Sequence, residues 1–310
     1  MRRLIAVLLA PLVVGTAVAG CSSSPANDSV TVSGAEGKAP AVHIPTRKAG
    51  SGLVTKTLVH GHGQKLGAGD SYLANFNVYL WRGTTSKLLF SSFTGTPQVL
   101  PVSIGLSGLR TAVTGERVGS RVLAVLPPRY GYGAKGNAQV GIKPTDTLVW
   151  VVDVLRVFSA HARATGRHVS DGGGSLPAVH VGAGGAPQIQ IPKTSPPTQL
   201  VVKTLIHGTG PPVKAGQSIV VRYVASIWRT GRVFNDNWPS PSQPKVPPTA
   251  LKLGQLIPAW NTGLVGVPVG SRVMLVVPPT QGYGRTGNSQ AGIKGSDTLV
   301  FVIDILAATK

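Results

Sequence analysis

The sequence predicts an α+β fold: two tandem domains of similar sequence, each an antiparallel β-sheet curled around one short α-helix. Three observations lead to this prediction. Residues 130–155 and 281–306 are nearly the same sequence. Segments rich in β-branched residues dominate both copies, and only one short segment per copy has a helical pattern. We therefore expect a duplicated, mainly antiparallel domain.

The similarity between the two copies extends well beyond these segments. LVTKTLVHGHG, which begins at Leu53, matches LVVKTLIHGTG, which begins at Leu200, with an offset of 147 residues. VGSRVLAVLPP at Val118 matches VGSRVMLVVPP at Val269 with an offset of 151. The period is too long for a solenoid and indicates duplicated globular domains of about 110 residues. We place domain 1 at residues 51–158 and domain 2 at residues 198–310.

The N-terminus has the pattern of a bacterial export signal. Residues 1–20 hold Arg2 and Arg3 before an apolar stretch, which is too short for a typical membrane-spanning helix. The following V-A-G-C resembles a lipobox, although Val18 replaces the usual leucine. The resemblance implies that Cys21 is lipidated and anchors the protein on the extracytoplasmic face of the cell membrane. Ordinary signal cleavage stays open as the alternative.

Two segments have the composition of connections. Residues 21–50 are polar, contain Pro and Gly and lack periodicity, which predicts a flexible tether. Residues 159–197 include DGGGS and VGAGGAP, which predict a Gly/Pro-rich linker between the domains. Cys21 is the only cysteine, so an internal disulfide is excluded.

The formal charge of the chain is +20. Its Lys and Arg residues are scattered, and export argues against a nucleic-acid partner, so we predict a solvated basic surface near an anionic envelope. His60 and His62 lack a third ligand or a nearby carboxylate, so we predict no metal site and no cofactor.

Individual elements are clearest in domain 2. Residues 218–228 read SIVVRYVASIW and predict a strand that leads into an R-T-G turn. The short helix is predicted near residues 258–264. Pro258 suits the first helical position, and Trp260 and Leu264 then share one face.

In this order, these motifs resemble those of the FKBP-type peptidyl-prolyl cis-trans isomerases. The resemblance covers about 105 residues of domain 2 and a similar length of domain 1. It implies an apolar pocket for proline-containing segments of exported or unfolded proteins, and a candidate site for a macrolide inhibitor. The implied pocket residues are Tyr223, Phe234, Asn235, Leu256, Ile257, Trp260, Tyr283, Ile293 and Phe301.

The resemblance also implies roles for these side chains. Trp260 would form the floor, Tyr283 would donate a hydrogen bond to a substrate carbonyl, and Ile293 would cover the bound peptide. Such a pocket needs no nucleophile, because rotation about an X–Pro bond makes and breaks no covalent bond. It needs apolar surroundings that favour the twisted imide, which has less charge separation than the planar one.

Both copies depart from the family pattern. In domain 2, Asn235 replaces an aspartate, and Thr249 stands where an aromatic residue is frequent, so we expect weaker or differently selective activity. Domain 1 departs further: Leu109 stands at the position of Trp260, and we find no clear counterparts of Leu256 and Ile257. The expected degenerate counterparts in domain 1 are Phe76, Phe90, Ser91, Leu109, Tyr132, Ile142 and Trp150.

Two functions therefore remain open from the sequence. The first is a lipid-anchored prolyl isomerase that assists exported proteins, with activity mainly in domain 2. The alternative is a chaperone or scaffold lipoprotein that binds prolyl peptides with little or no turnover.

Overall fold

A computed structural model describes residues 29–103 and 105–309. The export signal and Cys21 lie outside this range. Within it, no helix is long and apolar enough to cross a membrane. The first half of the chain forms β1 Thr31–Ser33, β2 Ala41–His43, β3 Val54–Val59, β4 Ser71–Arg82, β5 Thr85–Ser91, β6 Gln98–Pro101, α1 Ser107–Val113, β7 Arg121–Leu126 and β8 Thr147–Phe158.

The second half repeats this order after one additional short strand, β9. Its elements are β9 Arg167–His168, β10 Ala178–Val181, β11 Pro187–Gln190, β12 Val201–His207, β13 Ser218–Ile227, β14 Val233–Asp236, β15 Thr249–Lys252, α2 Pro258–Leu264, β16 Arg272–Val277 and β17 Leu299–Thr309.

Each domain is built on one antiparallel sheet. In domain 1 the strand order is β3-β7-β8-β4-β5, with β6 also paired to β4. In domain 2 it is β14-β13-β17-β16-β12-β9, with β15 also paired to β13. The helix of each domain packs into the main core on one sheet face, through Leu109 and Val113 in domain 1 and Trp260 and Leu264 in domain 2. The predicted α+β class is therefore confirmed, as is the helix that begins at Pro258.

The structure corrects the expectation that residues 21–50 are a tether. From residue 29 onwards this segment folds: β1 and β2 form a hairpin that packs on the outer face of the domain 1 sheet. The reason is the apolar side chains that this polar segment carries, because Ile44 packs with Trp81 and Val149 in a buried cluster. The Trp81 indole also donates a hydrogen bond to the Arg47 carbonyl, at 2.7 Å.

The second connection is corrected in the same way. Within residues 159–197, β10 and β11 form a hairpin. Its residues Val179 and Ile189 pack on the outer face of the domain 2 sheet, against Met274 and Val302. The glycines that suggested a linker occupy the turns between short apolar strands. Each domain thus consists of the predicted sheet and helix plus a preceding hairpin.

In each domain a buried Arg–Asp pair of the sheet also binds the segment that precedes the domain. In domain 1 this segment is the β1–β2 hairpin, and in domain 2 it is the chain just before β9. In domain 1, Arg121 donates to Asp153 at 2.6 Å, and the same carboxylate accepts a hydrogen bond from the backbone N–H of Gly37. In domain 2, Arg272 pairs with Asp304 at 2.6 Å, and Asp304 accepts from the N–H of Ala164. Because both partners are buried, these added bonds satisfy carboxylate oxygens that water does not reach.

The two domains also contact each other. Leu73 and Phe158 of domain 1 share a buried apolar cluster with Val220 and Leu306 of domain 2. The connecting segment is further bound by Arg222, whose buried guanidinium donates to the carbonyls of Ala160 and Ala162. Burial lowers the pKa of Arg222 to about 10, an effect opposed by the charge of Asp304.

Candidate functional site

An apolar cavity of about 340 Å³ opens in domain 2 beside helix α2. Eight of the nine predicted pocket residues line it. Strands β13, β14 and β17, the start of the helix and the loop after β16 each contribute at least one of them. These eight are Tyr223, Phe234, Asn235, Leu256, Ile257, Trp260, Tyr283 and Phe301.

The base of the cavity is a set of aromatic rings in edge-to-face contact. The Trp260 ring meets Tyr223 at 5.7 Å and Phe301 at 5.6 Å between centroids, with interplanar angles of 84° and 83°. Phe234 meets Phe301 at 6.0 Å and 88°. Such edge-to-face pairs are favourable in themselves, so each ring restrains its neighbours. The result is an apolar, preformed box whose shape depends on Trp260.

The start of α2 positions both Trp260 and a backbone donor. Ile257 is the N-cap residue, and Pro258 occupies the first turn, where its missing N–H leaves no lost bond. Trp260 N–H donates to the Ile257 carbonyl at 3.1 Å. The N–H of Ile257 itself has no hydrogen-bond partner among the described residues, and Ile257 lines the cavity. A bound carbonyl could therefore accept from it.

The polar edge of the cavity is the pair Tyr223 and Asn235. The Tyr223 hydroxyl donates to Asn235 Oδ1 at 2.9 Å. Burial raises the pKa of Tyr223, and the proximity of Tyr283 and Asp236 raises it further. The hydroxyl is therefore a neutral donor at neutral pH.

A β-bulge brings Phe234 and Asn235 to this edge. Strand β13 pairs Ala225 with Asn235 and Ser226 with Val233, so Phe234 is an additional residue in β14. The neighbouring Asp236 accepts a hydrogen bond from the backbone N–H of Trp238, just after the strand, at 3.2 Å. It does not line the cavity.

Asn237 is a further residue of this region that the sequence did not indicate. It is buried, and its Oδ1 accepts from the N–H of Tyr223 at 2.8 Å. Its Nδ2 donates to the Val221 carbonyl and to Thr249 Oγ1. Thr249 therefore supports Asn237 and is not a wall residue. Two wall residues were also missed, Leu251 and Gln255.

The structure does not bring Ile293 to the cavity wall. Its side chain is buried in the main core of domain 2, with 4% exposure. Its backbone exchanges two hydrogen bonds with Asn288 across the loop, both at 2.8 Å. The side chain thus anchors the loop that carries Tyr283 to the core.

In domain 1 the strand register corrects two of the expected counterparts. Strand β4 pairs Val78 with Phe90 and Tyr79 with Leu88, so Leu89 is the bulge residue. Leu89 is therefore the equivalent of Phe234, and Phe90 is the equivalent of Asn235. Ser91 lines no cavity in this region, and its hydroxyl accepts a hydrogen bond from the backbone N–H of Phe93 at 3.3 Å.

Aromatic contacts replace the polar pair in domain 1. Phe76 occupies the position of Tyr223, and its ring lies 5.2 Å from that of Phe90. The same ring stacks on Trp150 at 5.1 Å. Trp150 occupies the position of Phe301.

The helix of domain 1 also has a counterpart that the sequence did not reveal. Leu106 is the N-cap residue of α1, as Ile257 is of α2. Leu109 is the equivalent of Trp260, as expected. Leu109 lines a cavity of about 240 Å³ beside the helix, and a second cavity of about 600 Å³ lies next to it, over strands β4, β5 and β6. Tyr132 lines both cavities, and Ile142 lines the larger one.

No group of three or more His, Cys, Asp or Glu side chains among residues 29–103 and 105–309 is arranged to hold a metal ion.

Comparison with known proteins identifies the family of both domains. The model of the FKBP-type peptidyl-prolyl cis-trans isomerases matches residues 63–155 and 210–306, together more than half of the chain. A FK506-binding protein of Streptomyces anulatus is 35% identical over 123 residues, which is 39% of this chain and 95% of the relative. A probable FK506-binding protein of Corynebacterium glutamicum is 34% identical over 122 residues, 39% of this chain and 98% of the relative.

A third relative and two solved structures are also similar. The FKBP-type isomerase FkpA of Escherichia coli is 32% identical over 109 residues, 35% of this chain and 37% of the relative. Its crystal structure matches 36% of this chain and 49% of its own, at 29% identity and a TM-score of 0.32. The three FKBP domains of wheat FKBP73 cover 84% of this chain and 95% of their own at 18% identity, with a TM-score of 0.32.

Proposed function

The chain belongs to the FKBP-type peptidyl-prolyl cis-trans isomerases, with two tandem domains, and we propose that domain 2 carries the isomerase activity. The observation that supports this assignment is the aromatic box around Trp260, which domain 2 has and domain 1 lacks. We propose proline-containing segments of exported proteins as its substrates.

Rotation about an X–Pro bond is opposed by imide resonance, with a barrier of about 18–20 kcal/mol. The twisted imide is less polar than the planar one, so an apolar box that excludes water favours it. In this proposal the proline ring lies over Trp260. The N–H of Ile257 and the hydroxyl of Tyr283 donate to substrate carbonyls and hold the peptide while the bond rotates.

Export and lipid attachment at Cys21 complete the proposal. Because the hairpin of domain 1 begins near residue 30, at most about ten residues separate Cys21 from folded protein. Fully extended, such a segment spans at most about 35 Å, so domain 1 would lie close to the membrane surface. Labelling of cells with radioactive palmitate tests this: the wild type should be labelled and Cys21→Ser should not.

The isomerase proposal is tested with the full chain and a short Xaa-Pro peptide whose cis-to-trans relaxation is followed. We expect acceleration by the wild type and at least a tenfold loss of kcat/KM in Trp260→Leu. Trp228→Leu is the matched control, because Trp228 is also buried in domain 2 but lies on the opposite sheet face.

Circular dichroism should show that both variants are folded at the assay temperature. A folded wild type without acceleration, or a Trp260→Leu variant as active as Trp228→Leu, would overturn the assignment of activity to this box.

A further inference from the structure

Domain 1 has more open apolar space than domain 2 at the equivalent place. The cavities of about 600 and 240 Å³ share the wall residues Leu100, Tyr132 and Trp150, whereas the cavity of domain 2 is about 340 Å³. Two residues that line the smaller cavity are less bulky than their equivalents in domain 2. Gly105 takes the position of Leu256, and Leu109 takes that of Trp260.

The rim of the larger cavity collects exposed apolar side chains. Most exposed large apolar side chains among the described residues are valines. The exceptions are Leu88, Phe90 and Tyr132. All three line this cavity, together with the exposed Val140. They are 45%, 45%, 38% and 53% exposed, respectively. A concentration of exposed apolar surface at one cavity is typical of a binding site.

The Tyr223–Asn235 pair of the domain 2 site is absent from this cavity, whereas Tyr132, the equivalent of Tyr283, and Gln98 line it. Phe76 and Phe90 replace Tyr223 and Asn235, so the hydroxyl–amide pair has no equivalent. A guest here would gain little from hydrogen bonds to these two positions. It would gain mainly from burying apolar surface, at about 25 cal/mol per Å².

The charges around the two cavities have one sign. Lys87 lines the larger cavity and Arg110 lines the smaller one, and no carboxylate lines either. Neither cation forms an ion pair among the described residues. The carboxylates of Asp146 and Asp153 are already bound by arginines of the domain. The charge therefore favours a guest that carries carboxylates beside its apolar side chain.

We propose that domain 1 binds extended polypeptide segments that present a bulky apolar side chain, leucine or phenylalanine, with an acidic residue nearby, and that this binding requires no proline. The apolar side chain enters the larger cavity, and its acidic neighbour lies near Lys87. Binding is independent of the isomerase activity of domain 2, because the two cavities belong to different domains.

The test uses the full chain labelled with ¹⁵N and the indole N–H signals of its five tryptophans. Trp150 reports on the cavities of domain 1 and Trp260 on that of domain 2, and Trp150→Phe and Trp260→Leu assign the signals. The probes are three peptides without proline: Ac-Asp-Ala-Phe-Ala-Asp-NH₂, the same peptide with Lys in place of Asp, and the same peptide with Ala in place of Phe.

We expect the acidic phenylalanine peptide to shift the Trp150 signal saturably and to leave Trp260 unchanged. The lysine-flanked peptide should bind at least threefold more weakly, and the alanine peptide should give no shift. Phe90→Asp should abolish binding. The control is Val181→Asp, which should leave binding unchanged. Val181 is also apolar and exposed, at 68%, but it lies in the β10–β11 hairpin and does not line the cavity.

Lys87→Glu is the more stringent test, because a loss of structure alone would not reverse the preference for acidic over basic flanking residues. In that variant the lysine-flanked peptide should bind more tightly than the acidic one. Three results would overturn the proposal: no shift of Trp150, an equal shift of Trp260, or an unchanged flank preference in Lys87→Glu. A Trp150 shift that depends on protein concentration without peptide would assign the surface to a second copy of the chain and would also overturn it.

Discussion

The pair formed by Tyr223 and Asn235 can be exchanged for the pair that domain 1 has at the same positions. We predict that Tyr223→Phe and Asn235→Phe each destabilise domain 2, and that the double variant is less destabilised than the sum of the two. The hydroxyl–amide bond is 2.9 Å long and exposed at the edge of the cavity. Its net contribution is therefore about 1 kcal/mol, which each single variant loses.

The double variant loses the same hydrogen bond only once and gains an aromatic pair. In domain 1 that pair has a centroid distance of 5.2 Å, and such pairs contribute about 0.5–1.5 kcal/mol. The single losses sum to about 2 kcal/mol, whereas the double variant should lie near zero. The coupling energy is then about −2 kcal/mol.

The assay is a urea titration of the full chain followed by the indole signal of Trp260, which reports on domain 2. The reciprocal cycle, Phe76→Tyr with Phe90→Asn, is read from Trp150 and should show coupling of the same sign. Changes that add within about 0.5 kcal/mol in both cycles would refute the reasoning. They would mean either that the hydrogen bond does not form or that Phe90 is not the equivalent of Asn235.

Three further predictions concern residues of domain 2 that stabilise its fold outside the cavity. The hydrogen bond from Arg229 holds the pKa of the Asp297 carboxyl below its usual 3.8, so the stabilisation that this ion pair gives the folded state is present above the usual pKa and is lost as the pH falls through the lowered value. In acid titrations followed by circular dichroism, Asp297→Asn should reduce this loss. Arg222→Met leaves buried carbonyls such as that of Asn237 without their donor and should lower the free energy of unfolding by about 1–3 kcal/mol, measured in urea. Gly287→Ala should destabilise domain 2 more than Gly284→Ala in the same assay. Both glycines have φ near +63°, but only at Gly287 would a Cβ lie 2.3 Å from a backbone carbonyl oxygen.

The parts of the molecule that follow local patterns could be predicted from the sequence. Strand β13 is rich in β-branched residues, and helix α2 begins at a proline and places Trp260 and Leu264 on one buried face. From the order of the motifs, nine residues were assigned to one pocket, and eight of them line the cavity. Ile293 does not line it, because the direction of a loop side chain depends on the conformation of the loop, which the motif does not specify.

The hairpins could not be predicted because their strands have only three or four residues. Period-two alternation is not distinguishable in so short a strand, and glycine-rich turns have the composition of a linker. One signal was available: APAVHIP at residues 39–45 recurs as APQIQIP at residues 186–192, with the same offset of 147 as the strands that follow.

The register of Phe90 was missed for a different reason. A β-bulge adds one residue to one strand, and nothing in the letters F-S-S shows which residue is added. Only the pairing of β4 with β5 places Phe90 opposite Val78 and so at the position of Asn235. Site residues beside a bulge can therefore be displaced by one when they are assigned from a motif alone.

The way in which the two copies differ supports the binding site that we propose in domain 1. Loss of function alone would be expected to remove one member of a polar pair and leave the other without a partner. Instead, Tyr223 and Asn235 are both replaced by phenylalanines whose rings are in contact. The buried pair Arg121–Asp153, which holds the hairpin, keeps the same residue types as its equivalent in domain 2. Substitutions that change together inside the cavity while the frame stays the same are what a second, more apolar binding site requires.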